Sequence, residues 1–250
     1  MSVFWVYIYS LAHVIGLEWS LFQPDLFWIL GAIILLFNFL FVWLATHRRL
    51  DINFFNFLIS PFLFMLSGLV FLLFSGNSLI KQAVILFMVV SATIFMRYLV
   101  IYNYHRHNYP KHGLSSISRI INLTTIFFFY TGWFNLHGFL RVSLWFLALA
   151  STVVIVLVFY QFFNINKIKG RDNKYFIWVA ALIFLELFYV LHWLPFLSYS
   201  KALLVVSAYY FIISLTKHYF AGSLEPQVYR RYSLVTGIIW ILTLATSRWG

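Results

Sequence analysis

The chain has 250 residues, of which 63% are hydrophobic and only 9% charged, against roughly 25% charged in an ordinary soluble domain. So little charge cannot cover a water-facing surface, which excludes a soluble globular protein of this length. The formal charge of +11 does not point to nucleic acid, because the basic residues stand in short connections between apolar runs, where they report topology and contact with anionic headgroups.

A run of about 20 apolar residues crosses the hydrocarbon core as a helix. The first such run covers 3–22 and ends at Gln23, Pro24 and Asp25. It lacks a basic n-region and a small-residue cleavage site and contains His13 and Glu18, so it is expected to remain a membrane helix. The second covers 26–46 and leads to Arg48, Arg49 and Asp51; the third covers 54–74 and contains Ser60–Pro61. Proline inside a span frees a backbone carbonyl, which a neighbouring hydroxyl such as Ser60 can help to satisfy. The fourth covers 79–102 and runs into the connection 103–113, NYHRHNYPKHG.

The fifth run, 117–136, is the most polar, with Asn122, Thr124, Thr125, Tyr130 and Asn135. The sixth covers 142–163; its β-branched stretch still reads as helix, because an open strand edge finds no hydrogen bonds in lipid. The connection 164–174 carries Lys167, Lys169, Arg171 and Lys174. The seventh run, 175–195, holds Glu186 near its middle and His192 near its end. The eighth covers 201–220. The ninth, 233–246, is short, so an interfacial helix there would leave eight spans. The predicted architecture is an all-α polytopic transmembrane helix bundle of about nine spans, one integral membrane domain over 1–250 with no soluble domain.

Basic residues collect on the cytoplasmic side of bacterial and eukaryotic membrane proteins. With the N-terminus inside, Lys81, Arg141, Lys201 and Arg248 fall outside and the other 13 of the 17 basic residues fall inside. That split predicts a cytoplasmic N-terminus and, for nine spans, an extracytoplasmic C-terminus, in the plasma or inner cell membrane. Short outer turns and longer basic inner connections make the units antiparallel helical hairpins. Lys81, Arg141 and Lys201 recur at intervals of about 60 residues, the trace of a degenerate hairpin repeat or simply of even construction.

Glu186 is the sharpest feature. A mid-bilayer acid costs about 2.5–3.5 kcal/mol on insertion scales and is expected to face the bundle interior, with Tyr189, Val190 and Trp193 on its helical face. His13 and Glu18 on the first run and His192 on the seventh extend the polar set. His105, His107 and His112 crowd one connection, but Arg106 and Lys111 beside them oppose a metal ion and suit a lipid phosphate. Haem held between helices needs two histidines at matched depth, and His137 with His192 is the pair toward the outer side. Neither metal nor cofactor is expected.

Three readings follow. The first is transport or permeation of a small solute or ion through a polar site of Glu186, His192, Tyr189, His13 and Glu18. The second is an enzyme acting on a lipid-linked substrate, with Glu186 or His192 as acid or base; no Gly-rich phosphate loop, nucleophile elbow or H-E-x-x-H motif supports it. The third is a non-catalytic subunit of a membrane complex. The expected partners are the bilayer, anionic headgroups at Arg48, Arg49, Arg106, Lys111, Lys167 and Lys169, and a homo-oligomer or membrane complex, with no nucleic acid.

Overall fold

The structure is a computed structural model that describes residues 4–47, 50–105, 107, 109–110, 113–168 and 173–247. Among the described residues there are nine α-helices and no strand: α1 (Phe4–Phe22), α2 (Phe27–Ala45), α3 (Ile52–Phe74), α4 (Ser78–Tyr104), α5 (Gly113–Leu140), α6 (Leu144–Ile165), α7 (Asn173–Trp193), α8 (Ser198–Phe220) and α9 (Pro226–Thr246). Six of them, α2, α3, α4, α6, α7 and α8, are long and apolar enough to cross a membrane. The chain is therefore a multi-pass helical membrane protein.

Local chemistry sets the helix ends. Asp51 caps α3 by accepting the Phe54 N–H at 2.9 Å, and Asn77 caps α4 by accepting the Leu79 N–H at 2.9 Å. A side-chain acceptor there satisfies an N–H that the first turn leaves bare. The helices α6 and α8 end in the same way, with a left-handed residue after the last turn and a backbone bond that reaches back five residues. In α6 the left-handed residue is Lys167, φ 54°, and the Ile168 N–H donates to Phe163 O. In α8 it is Gly222, φ 65°, and the Ser223 N–H donates to His218 O. Both close otherwise unpaired carbonyls.

The ninth helix departs from the sequence reading. It has 21 residues and begins at Pro226, so Arg230 and Arg231 lie on helix rather than in a connection. Proline at a first helical position needs no N–H and arrives with its φ already helical.

Two compact units are present, Met1–Thr125 with Asn164–Asn166, and Ile126–Phe163 with Lys167–Gly250. In the first, α1 packs on α2 and α4, and α3 packs on both α2 and α4. Its buried side chains include Phe54, Phe64, Met65, Met88 and Phe95. Gly68 permits the close approach of α3 and α4, since a Cβ there would overlap Sδ and Cε of Met88. In the second unit α8 packs on α7 and α9, over buried Tyr130, Phe159, Phe184, Phe188 and Tyr209.

Candidate functional site

Several interior polar groups of the first unit bond across helices. Tyr9 on α1 donates its hydroxyl to Asn38 Oδ1 at 3.0 Å, and Asn38 Nδ2 donates to the carbonyl of Pro61 at 3.1 Å. All three residues are buried. The Ser60 hydroxyl, expected to serve the proline-interrupted backbone, turns the other way. It donates to Asn122 Oδ1 at 2.7 Å and lies 3.1 Å from the Ser118 hydroxyl. Asn38 on the neighbouring helix bonds the carbonyl of the proline itself, which is not the carbonyl of residue 57 that the missing proline N–H leaves free. Asn38 was not singled out from the sequence, although it is the one amide within α2; a lone amide inside an apolar run is itself the signal.

His13 is buried, meets the Tyr9 ring at a tilt with centroids 4.0 Å apart and donates from Nδ1 to the Tyr9 carbonyl at 2.9 Å. Its Nε2 is buried without a hydrogen-bond partner. Glu18 is half-buried and accepts from Gln82 Nε2 at 3.0 Å, which ties α1 to the first turns of α4. A cavity of about 430 Å³ lies at the other end of this unit, lined by Thr46, His47, Asp51, Asn53, Phe57 and Asn103. Its acid is already engaged, for Asp51 caps α3 and also accepts from Asn53 at 3.3 Å.

In the second unit Glu186 corrects an expectation. The cost of an acid in lipid predicts an interior position, yet Glu186 is exposed on α7. The residues around it on that side are Trp178, Val179, Leu182, Ile183, Val190 and Trp193, all exposed. The packed side of α7 carries Ile177, Ala180, Ala181, Phe184, Phe188 and Leu191. Among the described residues Glu186 has no hydrogen-bond or ion-pair partner. Tyr189, one turn further on, is half-buried, stands edge-on to Trp145 at 6.1 Å, and keeps its hydroxyl buried without a partner.

A second polar group gathers where α5 and α7 end and α8 begins. The His137 and His192 rings meet edge to face with centroids 4.3 Å apart. His137 Nδ1 donates to the Val142 carbonyl at 2.9 Å. Lys201 Nζ donates to the His192 carbonyl at 3.2 Å and lies 5.4 Å over the Phe134 ring. Ser198 donates to Asn135 Oδ1 at 2.6 Å. These are the two histidines that the sequence pairs by depth, and their rings meet directly. Among the described residues no group of three or more His, Asp or Glu side chains is placed to hold a metal.

Of the residues expected to meet headgroups, Lys167 is placed at the left-handed end of α6; Arg48, Arg49, Arg106, Lys111 and Lys169 lie outside the described residues. No family model, no curated protein and no solved structure matches the chain. The site readings therefore rest on its own residues.

Proposed function

We propose that the chain is a non-catalytic membrane subunit that works as a self-assembled pair, joined through the outward side of α7. The observation that carries this is Glu186, exposed on an otherwise apolar helix side and unpartnered. A carboxyl group in lipid is costly unless something covers it. Two copies inserted in the same orientation place Glu186 at the same depth. A neutral carboxyl both donates and accepts, so it is complementary to its own twin, and polar side chains of this kind hold membrane helices together. A two-fold pair with one patch meeting itself is the commonest form of assembly.

The chain has no cysteine, which makes the test direct. Leu182→Cys and Val190→Cys, each alone, should form a disulfide-linked pair on oxidation in native membranes. Leu149→Cys, exposed on α6, should not. A disulfide requires Cα atoms within about 7 Å, so equal yields at all three positions, or none at 182 and 190, would overturn the pairing.

The unpaired mid-span acid also favours a second reading, in which a small solute or ion moves along the joint and Glu186 takes part. Glu186→Cys should then react with a membrane-impermeant thiol reagent. Complete protection of that cysteine contradicts a water-filled path.

We propose further that all nine helices span, with the N-terminus cytoplasmic and the 164–174 connection on the same side, a reading supported by the 13 to 4 division of basic residues. A reporter fused within 164–174 should be active only if that connection is cytoplasmic; activity of an extracytoplasmic reporter there reverses the orientation.

A further inference from the structure

We infer that the group formed by His137, His192, Lys201 and Asn135 binds a phosphate-type oxyanion at the level of the lipid headgroups. This does not rest on the pairing of α7.

The charge pattern points to an anion. Lys201 is part of the first turn of α8, the end of a helix where a cation is disfavoured by the aligned peptide dipoles. It is held there by one bond to a backbone carbonyl, at 3.2 Å, which leaves its other ammonium protons to reach a ligand. Asn135 uses its carbonyl oxygen for Ser198, so its amide protons stay available. His137 is fixed by its bond to Val142 and meets the His192 ring edge to face, and the His192 carbonyl is the acceptor for the ammonium. These donors are gathered at one junction of helix ends, and no carboxylate among the described residues bonds them. A cluster of this composition matches the oxygens of a phosphate.

The position fits as well. Trp193 and Trp145 are 79% and 80% exposed and stand at this same end of α7 and α6. Exposed tryptophans mark the interface between hydrocarbon and headgroups. The three polar side chains His192, Lys201 and Asn135 are all half-buried, open to a ligand but shielded on one side. The phosphate could belong to a lipid headgroup or be free in solution, and the test separates the two.

Wild-type protein in nanodiscs of mixed phospholipid is ejected into a mass spectrometer, and retained lipid is counted. In parallel, inorganic phosphate is titrated against protein held in an uncharged, phosphate-free detergent, with tryptophan fluorescence as the readout. Lipid retention that falls at least tenfold in Lys201→Met and in Asn135→Leu, and returns in Lys201→Arg, assigns the site to a lipid headgroup. Saturable phosphate binding lost in the same two variants and restored by Lys201→Arg assigns it to free phosphate. Lys174→Met removes the same charge at the opposite end of α7 and should change neither signal. Melting temperature shows which variants fold, and Asn135→Leu carries the test if Lys201→Met does not. Wild-type signals that are absent, or are equalled by the folded site variants, overturn the inference.

Discussion

Asn38 shows what a single polar side chain does inside an apolar unit. It takes a proton from Tyr9 and gives one to the Pro61 carbonyl, so three helices meet at one amide. Replacing it with leucine leaves the buried Tyr9 hydroxyl without an acceptor, and an orphaned buried polar group costs about 1–3 kcal/mol. Asn38→Leu should therefore melt lower in detergent, and adding Tyr9→Phe should recover part of the loss. If the double variant is no better than the single one, the bond contributes nothing. Gly68 acts through absence instead. A methyl there meets the fully buried Met88, so Gly68→Ala should destabilise by roughly 1–3 kcal/mol, as overpacking does. Combining it with Met88→Ala should restore much of that, because the smaller side chain vacates the space. An unchanged melting temperature in Gly68→Ala would show that the Met88 side chain or the helices give way without cost.

At the scale of the element, the ends of α6 and α8 form a natural comparison. They share one capping geometry, but Gly222 supplies the left-handed residue in α8 and Lys167 supplies it in α6. A side chain in that conformation costs roughly 1–2 kcal/mol, which glycine avoids at the expense of some entropy in the unfolded chain. Gly222→Ala should thus lower thermal stability by about 1 kcal/mol, whereas Lys167→Gly should be neutral or raise it by up to about 1 kcal/mol. Thermal unfolding of both variants checks the pair, and a stabilising Gly222→Ala contradicts it. The seventh helix shows why element existence was readable from sequence while its facing was not. A long apolar run states that a helix crosses, but α7 is apolar nearly all round. No hydrophobic stripe marks its packed side, so only the cost of charge in lipid bears on the face of Glu186, and it predicts an inward one. The usable signal was Ala180–Ala181. Small residues let helices approach, and these two are buried, on the side away from Glu186. The early start of α9 was legible in principle too, since Pro226 suits a first helical turn, but Arg230 and Arg231 argued for a connection.

At the scale of the molecule, composition carried the class of protein almost unaided, because so low a charge content leaves lipid as the only surroundings for the exterior. The polar contacts were less legible. Ser60 with Asn122, Glu18 with Gln82 and His137 with His192 join residues far apart in the chain, and only the last pair could be suggested, from matched depth. The acid on the outside of the second unit stands apart from these contacts, because it is a carboxyl on an apolar helix side with no partner among the described residues, and that is where a second copy belongs. Counting copies per particle tests this most directly. By native mass spectrometry from a mild detergent, wild type and Glu186→Gln should each give two copies, since an amide also pairs with its twin, and Glu186→Leu should give one. A single copy for wild type, or two copies for Glu186→Leu, would contradict the account.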